Sequence, residues 1–511
     1  MLPPAEVDVL VIGAGSAGAV VAARLSEDPA RSVCLLEAGE WPTDPDVADP
    51  AMWPFLQGRP YDWAFATTPQ TGTAGRVHAW PRGRMVGGSS GINAMAHVRG
   101  HPDDFRAWAE AAGPRWSYDG LLPGFRRSER FSGGASPVHG DSGPFDVWLP
   151  DEEVSRLARA FMAAGEAIGA PRLGEHNGGP MIGTAPNSLN IRDGRRLTVG
   201  EAYLGGLAER TNLTLVTGAR VERLAVVGGR VDHVVGHTAE GPFTIRARRV
   251  VLSAGAVATP LLMMRSGIGD PAGLAAAGVA CTVPLPGVGQ NLHDHLLVAG
   301  NLYAARRTVP PTRLQLSESL LYLNSEDYTR RDGSPDIVVG CVVVPAVSEM
   351  FERPANGTAW TLLCGACHPT SRGSLRLSGP GPDDAPIIDP AYLSTEADRR
   401  AFRAAVAAAR TIARAAPLDG WRGAELLPGE GARSDAEIDA FVARAVITHH
   451  HPVGTCRMGL DEAAPVDGDL RVRGLDNLDV VDASVIPKLT AGPVNAAVMA
   501  IAETYAAEIA R

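Results

Sequence analysis

The residues best suited to do chemistry lie near the C-terminal end, in Thr448-His449-His450-His451-Pro452-Val453-Gly454-Thr455-Cys456, with Asn495 following His451 at 44 residues. An imidazole with an ordinary pKa of about 6.5 is neutral and basic near physiological pH, so it can take the hydroxyl proton of an alcohol. An asparagine amide can donate to the oxygen that loses it. More than four hundred residues earlier stands Gly13-Ala14-Gly15-Ser16-Ala17-Gly18, in G-x-G-x-x-G register. That pattern cradles the diphosphate of a dinucleotide. Together the two segments argue for oxidation of an alcohol by hydride transfer, on a flavin once the later motifs are weighed.

The elements around the glycines decide whether the pattern means anything. Residues 7–12, Val-Asp-Val-Leu-Val-Ile, read as a buried parallel strand. Gly13 permits the tight turn and Gly15 lets backbone amides approach the diphosphate. Gly18 allows close packing of a helix over residues 16–25, whose N-terminus attracts the negative charge. A second strand over 32–36 ends at Glu37, 19 residues after Gly18, placed to accept hydrogen bonds from an adenosine ribose. A carboxylate there repels the 2′-phosphate of NADP, which leaves FAD or NAD.

At 511 residues the chain can build two or three core-forming units, and its 58 glycines and 40 prolines fit a loop-rich globular enzyme. A formal charge of −10 with no basic stripe disfavours nucleic acid. Met1-Leu2-Pro3-Pro4 leads almost at once into the first strand, leaving no room for a cleaved signal, and no apolar run approaches the ~20 residues of a membrane span. Cysteines 34, 281, 341, 364, 367 and 456 stand in apolar surroundings and read as buried free thiols. The lone Cys364-Gly-Ala-Cys367 lacks the second pair that zinc would need. A reducing cytoplasm is the expected compartment.

Further along, helices are expected at 102–112, 150–169, 402–415 and 493–509. Strands are expected at 213–216, 220–224, 231–237, 249–252, 337–344, 360–367, 374–377 and 478–481. A dinucleotide domain interrupted by a substrate domain is the economical reading.

Several long motifs, in order, resemble the glucose–methanol–choline (GMC) oxidoreductases over nearly the whole chain. Leu36-Glu37-Ala38-Gly39 follows the glycine loop. Arg84-Met85-Val86-Gly87-Gly88-Ser89-Ser90-Gly91-Ile92-Asn93-Ala94-Met95 is similar to the first family signature, and Gly255-Ala256-Val257-Ala258-Thr259-Pro260 with Ser266-Gly267-Ile268-Gly269 to the second. Gly287-Val288-Gly289-Gln290-Asn291-Leu292, Ser371-Arg372-Gly373-Ser374 and the His-Pro-Val-Gly-Thr block also match.

The resemblance implies an α/β fold: a Rossmann-type FAD-binding domain, p-hydroxybenzoate-hydroxylase-like, with an inserted α+β substrate domain on an antiparallel sheet. The FAD unit would take 1–155, 190–300 and 455–511, and the substrate unit 156–189 and 301–454. FAD would lie with its adenosine half on the glycine loop and Glu37, Val221 at the adenine, and Gly87, Gly88 and Asn93 along the isoalloxazine. Asp482 and Ala483 would sit beside the diphosphate and ribityl chain. The same likeness assigns Gly13, Gly15, Ser16, Ala17, Gly18, Ala38, Arg84, Val86, Ser89, Ala94, Met95, Ala96, Ser253, Ala254, Gly255, Asn495 and Ala496 to the cofactor. Relatives with covalent FAD carry histidine where this chain has Ile92, so a noncovalent flavin is expected.

By the same resemblance His451 is the general base and Asn495 its partner. His450, usually aromatic in relatives, is a substrate-lining candidate. No metal is expected: neighbours on a strand point to opposite faces, and His293-Asp294-His295 matches a structural loop. The stretch 342–351 is taken to face the cavity; Phe351, Glu349 and Glu352 make a poor cage for choline, and a small or aromatic primary alcohol is the broader expectation. Oxygen or another acceptor would take the electrons, and homo-oligomerisation stays open. Two alternatives also stay open, a hydroxynitrile-lyase-like activity and a redox-silent flavoprotein.

Overall fold

The computed structural model describes residues 2–150 and 152–510. Met1, Asp151 and Arg511, which fall within ranges given above, lie outside the described residues.

The apolar run Glu6–Ile12 forms the centre of a parallel sheet. Val33–Leu36 lies on one side of it, with Leu213–Val216 beyond, and Gly241–Leu252 lies on the other side, followed by Leu478–Val480. Ile12, Leu36 and Leu252 are in register, and Leu252 in turn pairs with Val480. Gly13, Glu37, Ser253 and the Val481–Asp482 turn therefore emerge at one edge, the carboxyl ends of the strands, where open α/β sheets bind ligands. The 12-residue strand Gly241–Leu252 serves two partners. Its second half joins the parallel sheet, and its first half pairs antiparallel with Arg230–Thr238, which pairs with Arg220–Val227 across Gly228-Gly229.

A second sheet is antiparallel, in the order Arg422–Leu427, Leu296–Ala305, Ala359–Ala366, Ile337–Val342, Ser317–Leu323, Gly183–Pro186, with Val446–Thr448 also paired to Leu296–Ala305. Helices Glu396–Arg414 and Arg156–Ala167 pack on one face of it. Leu320, Tyr322, Val338 and Leu363 turn from the other face toward a cavity.

Strands Leu296–Ala305 and Ser317–Leu323 escaped the sequence reading. Covered on both faces, Leu296–Ala305 shows no alternation of apolar and polar residues. Helix Tyr118–Ser128 was also unexpected, since Gly120, Pro123 and Gly124 weaken it. It survives because Ser117 caps its N-terminus and because Gly124 admits the C-terminal helix Asn495–Ile509, whose Ala500 carbonyl would lie 2.7 Å from an added Cβ. Helix Glu396–Arg414 starts six residues before the expected 402. Thr395 caps it, and Phe402, Ala405, Val406, Ala409 and Ile412 bury one stripe.

Candidate active site

One cavity of about 810 Å³ is bounded both by the first sheet's carboxyl edge and by the three histidines. Gly13 holds φ 100, a conformation open to glycine, and its missing side chain leaves room for the Ser253 carbonyl. The following helix, Gly18–Leu25, has no side-chain cap at Ala17, so its first amides are left for an anion. Glu37 is buried; its Oε2 accepts from the Ala14 amide at 2.8 Å and its Oε1 from the Gly39 amide at 2.9 Å. Burial pushes this carboxyl up to about 7 against those donors. Asp482 is committed to the second glycine turn. Its Oδ2 accepts from the Gly255 amide at 2.8 Å and the Thr259 hydroxyl at 2.6 Å, and burial raises its pKa. Uncapped amides, a buried acid at the strand end and a long cavity between them fit a flavin dinucleotide.

Of the residues assigned to the cofactor by likeness, Gly18, Val86, Gly87 and Ala496 do not line the cavity, and the others do. Gly18 works by packing, since a Cβ there would stand 1.8 Å from the Gly13 carbonyl oxygen. Gly87 turns at φ 100 against Thr198, and Val86 and Ala496 are buried in the core.

The histidines are not on a strand, contrary to expectation. Val446–Thr448 ends before them, and His450 takes the left-handed φ of 65°. The Thr448 hydroxyl accepts from the His450 amide at 2.8 Å and helps to hold this turn. His295 immediately precedes the strand Leu296–Ala305, whose Leu296 pairs with Thr448, and the His295 carbonyl accepts from the His449 amide at 2.8 Å. The turn at His450 then swings His451 back toward the same ring. Nδ1 of His451 lies 3.0 Å from Nδ1 of His295, and the His449 and His451 ring centres are 4.2 Å apart. Adjacent histidines do diverge, but residues 449 and 451 converge with His295, and the three could reach a single ion. Sequence alone assigned no site role to His449 or to His295, which was read as part of a structural loop; the His293-Asp294-His295 triplet was the available signal. His293 is structural, with its Nδ1 on the Asn291 carbonyl and its Nε2 accepting from the Leu489 amide.

Asp294 does not touch these rings. Its oxygens accept from the Tyr392 hydroxyl at 2.6 Å, the Thr448 hydroxyl at 2.5 Å and the His451 amide at 2.7 Å. Burial holds the pKa of His451 well below the ordinary value, helped by His449, His295, His450 and Arg82, so the ring is neutral and able to accept a proton. Arg82 donates to the His450 carbonyl at 3.0 Å. His450 lines the cavity, and its Nδ1 is buried with no partner among the described residues. The Ser16 hydroxyl donates to Asn495 Oδ1 at 2.6 Å, and the asparagine Nδ2, which points to Met499 Sδ at 3.7 Å, keeps a second N–H.

Two sequence expectations fail here. The stretch 342–351 does not line the cavity: Glu349 pairs with Arg76, and Phe351 packs against Phe441. Its place is taken by Tyr322, Leu320 and Leu363 from the sheet, with Trp53. Cys281 is exposed, whereas the other five thiols are buried, and all six are free.

With this geometry in hand, comparison with known proteins gives concordant matches. Family models described as GMC oxidoreductase match residues 7–297 and 369–502. A pyridoxine 4-oxidase of Microbacterium luteolum is 56% identical over 98% of this chain and 99% of its own length. An oxygen-dependent choline dehydrogenase of Xanthomonas axonopodis pv. citri (strain 306) is 37% identical over 98% of this chain and 95% of its own. The crystal structure of pyridoxine 4-oxidase from Mesorbium loti superposes with a TM-score of 0.97 at 56% identity, covering 98% of this chain and 99% of that one.

Proposed function

The chain belongs to the GMC oxidoreductase family and is an FAD-dependent alcohol oxidoreductase; from that premise we propose that it oxidises the 4-hydroxymethyl group of pyridoxine to the aldehyde and passes the electrons to dioxygen. The observation that carries this reading is the 56% identity, end to end, with a pyridoxine 4-oxidase. The cavity supports it against choline. Its acidic liners are Glu37, Asp383, Asp384 and Asp482, and each is engaged: Asp383 by Arg220, Asp384 by the Gly381 amide, the other two by backbone amides. None of the four is hydrogen-bonded or ion-paired to His449, His450 or His451 among the described residues, so none marks a quaternary-ammonium site beside the base. An aromatic ring alcohol finds Tyr322 and Trp53 beside neutral imidazoles.

FAD, when bound, supplies the acceptor for the hydride. Gly13, Gly15, Ser16 and Glu37 would hold its adenosine and diphosphate, and Gly88, Ser89 and Asn93 its ring end. His451 takes the hydroxyl proton, and the Asn495 NH2 donates to the same oxygen as negative charge develops. Ile92 lines the cavity without a nucleophile, so the flavin is held noncovalently and leaves on denaturation. The free thiols suit a reducing, cytoplasmic setting.

The test is anaerobic mixing of the holoprotein with pyridoxine, choline and benzylic alcohols. Pyridoxine should bleach the flavin, and admitted air should restore its colour; choline alone bleaching it would overturn the substrate. His451→Ala should slow reduction by ~100-fold or more while FAD stays bound.

A further inference from the structure

We propose that His295 is a positioning residue for the reaction: it accepts the Nδ1–H of His451, fixes the tautomer that leaves His451 Nε2 as the base, and shares the positive charge once that nitrogen takes the substrate's proton. This rests on the reading of His451 as the base.

On its far side His295 is held by the main chain. Its Nε2 lies 2.8 Å from the Cys367 carbonyl oxygen. A carbonyl only accepts, so this nitrogen carries the proton. A neutral imidazole has one N–H, so His295 Nδ1 presents a lone pair. Burial keeps His295 neutral, holding its pKa near 4. That lone pair faces His451 Nδ1 at 3.0 Å, and two lone pairs cannot meet at hydrogen-bonding distance. His451 Nδ1 therefore donates, and its Nε2 keeps the lone pair. Because His451 lines the cavity and no other hydrogen bond to its ring occurs among the described residues, Nε2 is free for substrate.

In many catalytic histidines a carboxylate performs this orienting task. Here the nearest one, Asp294, is spent on Tyr392, Thr448 and the His451 backbone amide. It sets where the main chain runs, and a second imidazole sets the ring. The proton balance is simple. The O–H bond of the alcohol breaks, an Nε2–H bond forms, and the resulting imidazolium keeps its Nδ1–H on His295. Cys367 O then stabilises whatever part of the charge reaches His295 Nε2–H.

Two substitutions separate orientation from packing. Asparagine places Oδ1 about where Nδ1 stood and retains the acceptor, whereas leucine keeps bulk and removes it. His295→Leu is expected to lower the limiting rate of anaerobic flavin reduction by ~100-fold, with FAD content kept and the alcohol's dissociation constant within about threefold. His295→Asn should recover to within about tenfold of wild type. Independently, long-range proton–nitrogen NMR couplings in wild-type protein should show His451 protonated at Nδ1. A wild-type His451 protonated at Nε2 would overturn the proposal, as would a folded His295→Leu enzyme reducing flavin at full speed. Equal losses in both variants would overturn the acceptor role. If leucine prevents folding, the wild-type tautomer and the asparagine variant still decide. His451→Ala measured alongside keeps the two readings apart. If that variant reduces flavin normally, the base assignment falls; if it fails while His295→Leu does not, only the role of His295 falls.

Discussion

Glu37, proposed to hold the adenosine ribose, would link cofactor and proton. Its carboxyl is buried at a strand end, takes two backbone amides and is held at about 7, against an ordinary 4.5. Ribose hydroxyls donating to it favour the anion. Binding FAD therefore releases a proton wherever the apoprotein's Glu37 is protonated. We expect FAD affinity of the apoprotein to weaken as pH falls through about 7, and Glu37→Gln to bind more weakly with that dependence flattened. Fluorescence titration of apoprotein with FAD between pH 8 and about 5.5 checks this; an unchanged slope in the variant would exclude Glu37. Position in sequence was enough to single out Glu37, because a strand, a glycine turn and a helix fix its distance from the diphosphate. His295 could not be singled out that way. Its partner lies 156 residues away, and only a strand pairing brings the two together.

Among the elements, the glycine loop separates two duties that the motif merges. A Cβ on Gly18 would meet the Gly13 carbonyl oxygen at 1.8 Å, whereas one on Gly15 would find only the Gly88 Cα, at 3.9 Å. Gly18→Ala should therefore break helix–strand packing and destabilise the fold by about 1–3 kcal/mol, as overpacking does. Gly15→Ala should leave the thermal midpoint of the apoprotein within a few degrees and weaken FAD. Thermal melts of both apoproteins with FAD titrations check the split; equal melting losses would contradict it. The histidine turn makes a similar point. Read as a strand, Thr448-His449-His450-His451 scatters its rings to alternate faces, and the left-handed φ of His450 gathers 449 and 451 together instead. Histidine is among the non-glycine residues found more often in that region, yet nothing local announces it.

At the scale of the whole molecule, the buried histidines set the acid limit of stability. Burial holds His78, His97, His176 and His295 near 4, and His293 and His450 near 3, against an ordinary 6.5. Below 6.5 the unfolded chain binds protons that the folded one refuses, so stability falls with pH, by up to about 1.4 kcal/mol per unit for each such ring. Glu37, raised to about 7, works the other way between 4.5 and 7, as do the raised Asp294, Asp479 and Asp482 above their ordinary 3.8 and the buried His139, which Glu129 and Glu175 raise against its burial. The lowered imidazoles outnumber them, and the melting temperature of the apoprotein should drop steadily from pH 7 to about 5. A flat or rising midpoint across that range would show that the histidines are not held neutral.

Local order alone determined the dinucleotide half. A strand, a tight turn, a helix and an acidic strand end lie within about thirty residues, the span of a βαβ unit, so spacing there is geometry. The family signatures extended this to FAD, and they point to His451 with Asn495 as the candidate pair. Tertiary structure decided the rest. Leu296–Ala305 and Ser317–Leu323 lack alternation because both their faces are covered, so the wall of the substrate cavity was invisible until the sheet formed. The His295–His451 pair likewise exists only because Leu296 pairs with Thr448 and the backbone at His450 turns left-handed. Neither condition is encoded within reach of the residues it brings together.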